Sequence, residues 1–159
     1  MAVDRREIMI SAAPDDVWAA IGDPAALSTW FPGIVSAEVN GSSRVVTTAS
    51  GLRLPEEIVT NDPVRRVFAY RLTAPLIRDH LGTIEVRDAG FGQVLVRYET
   101  RCEPDSIALM IGGACGSALR ELRRQLESSS PLASASPGGA TPGGASPGST
   151  SPASARGAA

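Results

Sequence analysis

His80 is the sole histidine of the chain, and an imidazole with an unperturbed pKa of about 6.5 is the side chain best suited to moving protons near neutrality. Tyr70, Tyr98 and the adjacent carboxylates Glu56 and Glu57 are the groups that can work beside it. As a set they can hold a polar head group. They can also do chemistry, with His80 as general acid or base on an enolisable carbonyl and a buried tyrosine hydroxyl polarising that carbonyl. A plainer reading competes at each position. His80 follows Arg78 and Asp79 at the start of a strand, where a solvated histidine is common. Adjacent strand residues point to opposite faces, so Glu56 and Glu57 cannot flank one bond and at most one faces a pocket.

Other chemistries are excluded by what is missing. All 15 basic residues are Arg, which removes a Schiff-base lysine and a phosphate-loop lysine. Cys102 and Cys115 lack the spacing of a redox or zinc site and read as small buried apolar residues. No GxSxG occurs, and no acidic cluster has metal-ligand spacing, so neither metal nor cofactor is expected. Gly112-Gly113-Ala114-Cys115-Gly116 superficially resembles a phosphate loop, but it lies inside a helical pattern and follows no strand directly. The net charge is −2 with 17 acidic residues, and the arginines are scattered singly or in pairs, so no nucleic-acid footprint is present. Residues Met1 to Met9 carry no apolar run of the signal-peptide kind, and no stretch approaches the roughly 20 apolar residues that span a bilayer. A cytoplasmic protein without stable membrane insertion is expected.

The elements that must position these groups follow from periodicity and turn chemistry. Ile8 and Ile10 suggest a strand ending at Ser11. Pro14 suits a first helical position, Asp15 and Asp16 complement the helix dipole, and Val17, Trp18 and Ile21 form a stripe that ends at Gly22. Asp23-Pro24 opens a second short helix through Leu27 to Trp30, which Pro32-Gly33 breaks. Strands are then predicted over Ile34–Val39, Arg44–Ala49, Leu52–Asn61, Arg66–Thr73, Ile77–Arg87 and Gln93–Cys102. Asn40-Gly41, Asp62-Pro63 and Ala89-Gly90-Phe91-Gly92 supply the turns. Asn40-Gly41-Ser42 also matches a glycosylation acceptor, but the turn reading is preferred. From Ala108 to Leu126 apolar residues recur every three or four positions, the mark of a long amphipathic helix. Gly112, Gly113 and Gly116 each cost about 1 kcal/mol there, so they serve either close packing on the sheet or room for a ligand. After residue 127 the composition collapses almost wholly to Ser, Ala, Pro, Gly and Thr, with one charge, Arg156, and pentapeptides such as Ser136-Pro-Gly-Gly-Ala140. Such a segment cannot bury a core, so 1–127 is read as one domain and 128–159 as a disordered tail.

This order resembles the helix-grip fold of the START-like superfamily, also called SRPBCC and including polyketide cyclases and dehydrases. Ile8-Met-Ile-Ser-Ala-Ala-Pro-Asp-Asp-Val-Trp-Ala-Ala-Ile21, with Asp23, Leu27 and Trp30, is similar to the family's first strand and helix. Glu56 or Glu57, Asp62, Arg66, Tyr70-Arg71 and Gly92-Gln-Val-Leu-Val-Arg-Tyr98 resemble its later strands. The resemblance covers residues 5–127. It implies an α+β fold in which a curved seven-stranded antiparallel sheet wraps a long C-terminal helix, with short helices after strand one.

It also implies an internal cavity. Alternation turns Val94, Val96, Tyr98, Thr100 and Cys102 inward, with Arg97, Glu99 and Arg101 outward. Phe68, Tyr70 and Leu72 point inward on the preceding strand, as do Ile84, Val86, His80 and Arg78 on the next, unless a bulge intervenes. Expected pocket residues are therefore Trp30, Phe68, Tyr70, His80, Ile84, Val96 and Tyr98, joined by Ile111 and Cys115 from the helix. Trp18 and Trp30 could line a cavity mouth, but their stripe positions favour plain helix-to-sheet packing. The leading expectation is a module binding a hydrophobic small molecule such as a lipid or polyketide. One alternative is a polyketide cyclase/dehydrase-type enzyme that uses His80 or a pocket tyrosine. Another is a protein-interaction module with a collapsed cavity, marked by an exposed apolar patch.

Overall fold

Strand pairing starts at the N-terminus and runs the whole length of the last strand. In the computed structural model, which describes residues 1–129 except Leu76, β1 (Ala2–Ile10) pairs with β7 (Gln93–Glu103) from Ala2↔Cys102 to Ile10↔Val94. The strand thus begins well before the apolar alternation at Ile8: Arg5 and Glu7 pair with Glu99 and Arg97 on β7's outer face, while Asp4 and Arg6 share the inner face with Thr100 and Tyr98 beside the C-terminal helix. Helix α1 (Pro14–Ile21) follows, with Pro14 in its first turn and Val17 and Ile21 buried. Asp23 then accepts the Ala25 N–H at 2.9 Å to cap a single 3-10 turn, Pro24–Ala26, which leads into α2 (Leu27–Trp30).

The remaining strands are β2 (Ile34–Asn40), β3 (Ser43–Thr48), β4 (Arg53–Asp62), β5 (Val67–Leu72) and β6 (Asp79–Gly90). They form one antiparallel 7-stranded sheet in the order β1-β7-β6-β5-β4-β3-β2. Turn chemistry fixes the register as the sequence indicates. Gly41 sits at φ +60° between β2 and β3, and Gly90, Phe91 and Gly92 all take positive φ between β6 and β7. Asp62 Oδ1 accepts the Val64 and Arg65 N–H groups at 2.9 and 3.0 Å, an Asx turn.

One inward assignment is corrected. Arg78 precedes β6, which starts at Asp79, and its exposed guanidinium pairs with Glu103 at 3.2 Å. The alternation that buries His80, Gly82, Ile84 and Val86 therefore stops one residue short of it.

The 25-residue helix α3 (Asp105–Ser129) lies on the concave face. Ala108 is buried, and Cys115, Ala118, Leu119 and Leu122 share one core cluster with Ile10, Val94, Val96, Ile84 and Phe68. Each large side chain buried in this way contributes roughly 1.5–3 kcal/mol. Gly112 serves packing rather than a ligand, since a Cβ there would overlap the Asp4 side chain of β1. Gly116 faces Arg6, while Gly113 is exposed and nothing in the structure explains it. The helix continues through Ser128 and Ser129. The rest of the expected disordered tail lies outside the described residues.

Candidate functional site

Between α3 and the strands β3, β4, β5 and β7 lies a cavity of about 220 Å³. Its mouth is set by exposed Pro32, Gly33 and Ala114, where the loop after α2 faces the first half of α3. Its depth is set by buried Leu27, Val46, Glu56, Tyr70 and Tyr98. Half-buried Phe31, Ile34, Leu54, Leu72 and Ile111 make the walls between, so apolar carbon covers most of the interior.

The polar groups gather at the deep end. Tyr70 and Tyr98 come from β5 and β7, on either side of β6, and their hydroxyls meet at 2.7 Å. Gly82 of β6 makes this possible, because a Cβ there would overlap the Tyr70 ring. Burial pushes both phenols well above their usual pKa, so both stay protonated and each keeps an O–H to donate. Behind them the Cys115 thiol lies 3.8 Å from Thr100 Oγ1, and burial pushes its pKa up to about 11. This thiol is neutral and unreactive at physiological pH.

Arg44 and Glu56 are register partners on β3 and β4, and both point inward. Arg44 Nε and Nη2 donate to Glu56 Oε2 at 2.7 and 2.6 Å, and Nη1 donates to the Pro24 carbonyl at 3.3 Å. The guanidinium stacks on the Phe68 and Tyr70 rings, 5.1 and 5.2 Å from their centroids. Burial raises the Glu56 pKa and the Arg44 charge pulls it back only in part. Glu57 faces solvent, as adjacency on a strand requires.

His80 is placed differently from its expected catalytic use. It is buried beside the Tyr70 ring, 5.3 Å between centroids, and does not line the cavity. Its Nδ1 accepts the Leu72 N–H at 3.1 Å, and burial lowers its pKa to about 4. The ring is therefore neutral at pH 7 with its proton on Nε2, an atom that is buried with no partner among the described residues. It fastens β6 to β5 rather than presenting a proton to the cavity.

Of the other expected pocket residues, Tyr70, Tyr98 and Ile111 line the cavity, whereas Phe68, Ile84, Val96 and Cys115 lie in the surrounding core. Trp30 is 2% exposed and gives its Nε1–H to the Ala20 carbonyl at 3.1 Å, which makes it a packing residue. Arg44, Val46, Leu54 and the Phe31–Ile34 loop were not singled out from sequence. The available signal was alternation, since Arg44, Val46 and Thr48 share one face of β3 opposite Leu54 and Glu56. Among the described residues no group of three or more His, Cys, Asp or Glu could hold a metal.

A curved sheet gripping a long helix over an apolar cavity defines a START-like helix-grip domain. The family model described as polyketide cyclase/dehydrase and lipid transport matches residues 1–127, and the chain belongs to that family. Solved structures agree on the fold. The protein XoxI from Bacillus cereus superposes with a TM-score of 0.75 at 24% identity, covering 79% of this chain and 96% of that one. A START superfamily protein from Mycobacterium smegmatis gives 0.67 at 12% identity, covering 79% and 97%. The di-domain ARO/CYC BexL, from a biosynthetic pathway, gives 0.68 at 17% identity, covering 82% of this chain and 48% of that one. No curated protein matches.

Proposed function

We propose that the protein binds a hydrophobic small molecule between α3 and the concave sheet. The observation that carries this reading is the 220 Å³ cavity, walled mainly by carbon and open at Pro32, Gly33 and Ala114. Burial of apolar ligand surface there yields about 25 cal/mol per Å². A collapsed cavity, the premise of the protein-interaction alternative, does not match this geometry.

The cyclase/dehydrase alternative draws on the polar deep end. If chemistry occurs, Tyr70 or Tyr98 serves it as an O–H donor to a carbonyl. His80, neutral and outside the cavity wall, does not. BexL is a relative whose name fits such an activity.

The test is native mass spectrometry of the protein from its own host, with extraction and identification of any passenger. A stoichiometric apolar passenger that Ala114→Trp excludes supports the reading, because Ala114 is exposed at the mouth and the exchange leaves the core intact. A clean apo mass, with no thermal stabilisation by a lipid and polyketide panel, overturns it.

A further inference from the structure

The cavity's deep end holds hydrogen-bonding capacity that its own residues do not use. Both guanidinium contacts from Arg44 fall on one carboxylate oxygen, Glu56 Oε2. Among the described residues nothing donates to Oε1, although the Glu56 side chain is only 6% exposed and lines the cavity. A carboxylate oxygen that faces the cavity with no donor of its own is a strong acceptor for a donor that enters. Tyr70 and Tyr98, which line the same cavity, share a single hydrogen bond. A pair of hydroxyls holds a pair of protons, so one proton remains after the mutual bond is made, and a ligand oxygen competes for it only with the weakly accepting Cys115 sulfur.

We infer that the ligand carries a hydroxyl, phenolic or alcoholic, which donates to Glu56 Oε1 and accepts from the tyrosine pair. The inference rests on the reading of the cavity as a ligand site. A hydroxyl supplies donor and acceptor on one atom; an ether or ketone oxygen only accepts, and an ammonium only donates. A carboxylate also only accepts, and it sets a second negative charge against Glu56. Arg44 does not compensate for that charge. It is not among the residues that line the cavity, three of its five N–H groups go to Glu56 and the Pro24 carbonyl, and its face is covered by Phe68 and Tyr70.

Volume limits the apolar body. A dry cavity of about 150 Å³ holds benzene, and drug-sized ligands occupy pockets of about 300 Å³ or more. The 220 Å³ here suits one ring with a short substituent. A long-chain fatty acid fits neither the volume nor the charge.

The experiment is isothermal titration calorimetry of the full chain with probes of similar shape: 4-ethylphenol, 4-ethylanisole, ethylbenzene and 4-ethylbenzoate. The phenol is expected to bind about ten- to a hundredfold more tightly than the anisole or the hydrocarbon, the worth of one hydrogen bond to a charged acceptor. The benzoate is expected to bind most weakly. An anisole or hydrocarbon within about threefold of the phenol, or a benzoate that binds best, overturns the hydroxyl assignment and leaves the cavity a ligand site. No binding by any probe, together with passenger-free protein from the host, overturns both readings.

Discussion

The two faces of the sheet carry the same ionic residue types and use them in opposite ways. On the convex face Arg5 and Arg101 both bond Glu99, and Arg97 bonds Glu7, at 2.7 to 3.0 Å with solvent alongside. On the concave face Arg44 and Glu56 meet at similar distances, with side chains 3% and 6% exposed and aromatic rings in place of water. The difference teaches that solvent, not contact length, sets what an ion pair does. Water makes the outer pairs weak and replaceable. Its exclusion makes the inner pair costly to assemble and costlier to break. The raised pKa of Glu56 and the lowered pKa of Glu99 report that contrast: burial dominates the first, and hydrogen bonds from Arg5 and Arg101 dominate the second.

The sharpest way to break this comparison is to remove one inner partner. Glu56→Gln leaves the Arg44 guanidinium buried without a counter-charge and is expected to cost about 3 to 5 kcal/mol in urea denaturation. Replacing both partners, Arg44→Met with Glu56→Leu, is expected to recover most of that loss, because neither charge then needs desolvation. A single variant that costs less than about 1 kcal/mol would place the inner pair in the same class as the outer ones.

His80 extends the contrast to pH. Burial lowers its pKa from 6.5 to about 4, so the unfolded chain binds the proton more tightly than the folded one. The stability this neutral ring contributes is therefore full above pH 6.5, declines as pH falls, and is gone below pH 4. At about 1.4 kcal/mol per pH unit the loss over that window is on the order of 3 kcal/mol. His80→Asn keeps an acceptor for the Leu72 N–H and removes the titration. The variant should show a flatter stability profile between pH 6.5 and 4 than the parent. Parallel profiles would mean that His80 is solvated after all.

Much of this architecture is legible in the sequence because it follows from local periodicity. Val94, Val96, Tyr98, Thr100 and Cys102 alternate inward as their period demands, and Asn40-Gly41 and Gly90-Phe91-Gly92 turn the chain where expected. The site is less legible, because alternation gives a residue's face and not its depth. Phe68, Ile84 and Val96 share the concave face with Tyr70 and Tyr98, yet only the tyrosines reach the cavity wall. Arg44 escaped notice because its partner Glu56 is supplied by strand register, which a charged residue inside an apolar alternation does not announce. Gly112 and Gly82 are explained by the neighbours that come closest, Asp4 and Tyr70, both distant in sequence.

The smallest expected effect tests the outer face. Glu99 receives Arg5 Nη2 at 2.7 Å and Arg101 Nε at 3.0 Å, and its side chain is 16% exposed, the least of any in these convex-face pairs. If any outer carboxylate behaves like Glu56, it is this one. Glu99→Gln keeps the shape and an acceptor while removing the charge, and it is expected to cost no more than about 1 kcal/mol at low ionic strength. At about 1 M salt the Debye length falls to roughly 3 Å, and the difference from the parent should vanish. An effect that survives high salt would show that the crossed arginines exclude solvent from Glu99, and the sheet would then carry buried ionic chemistry on both faces.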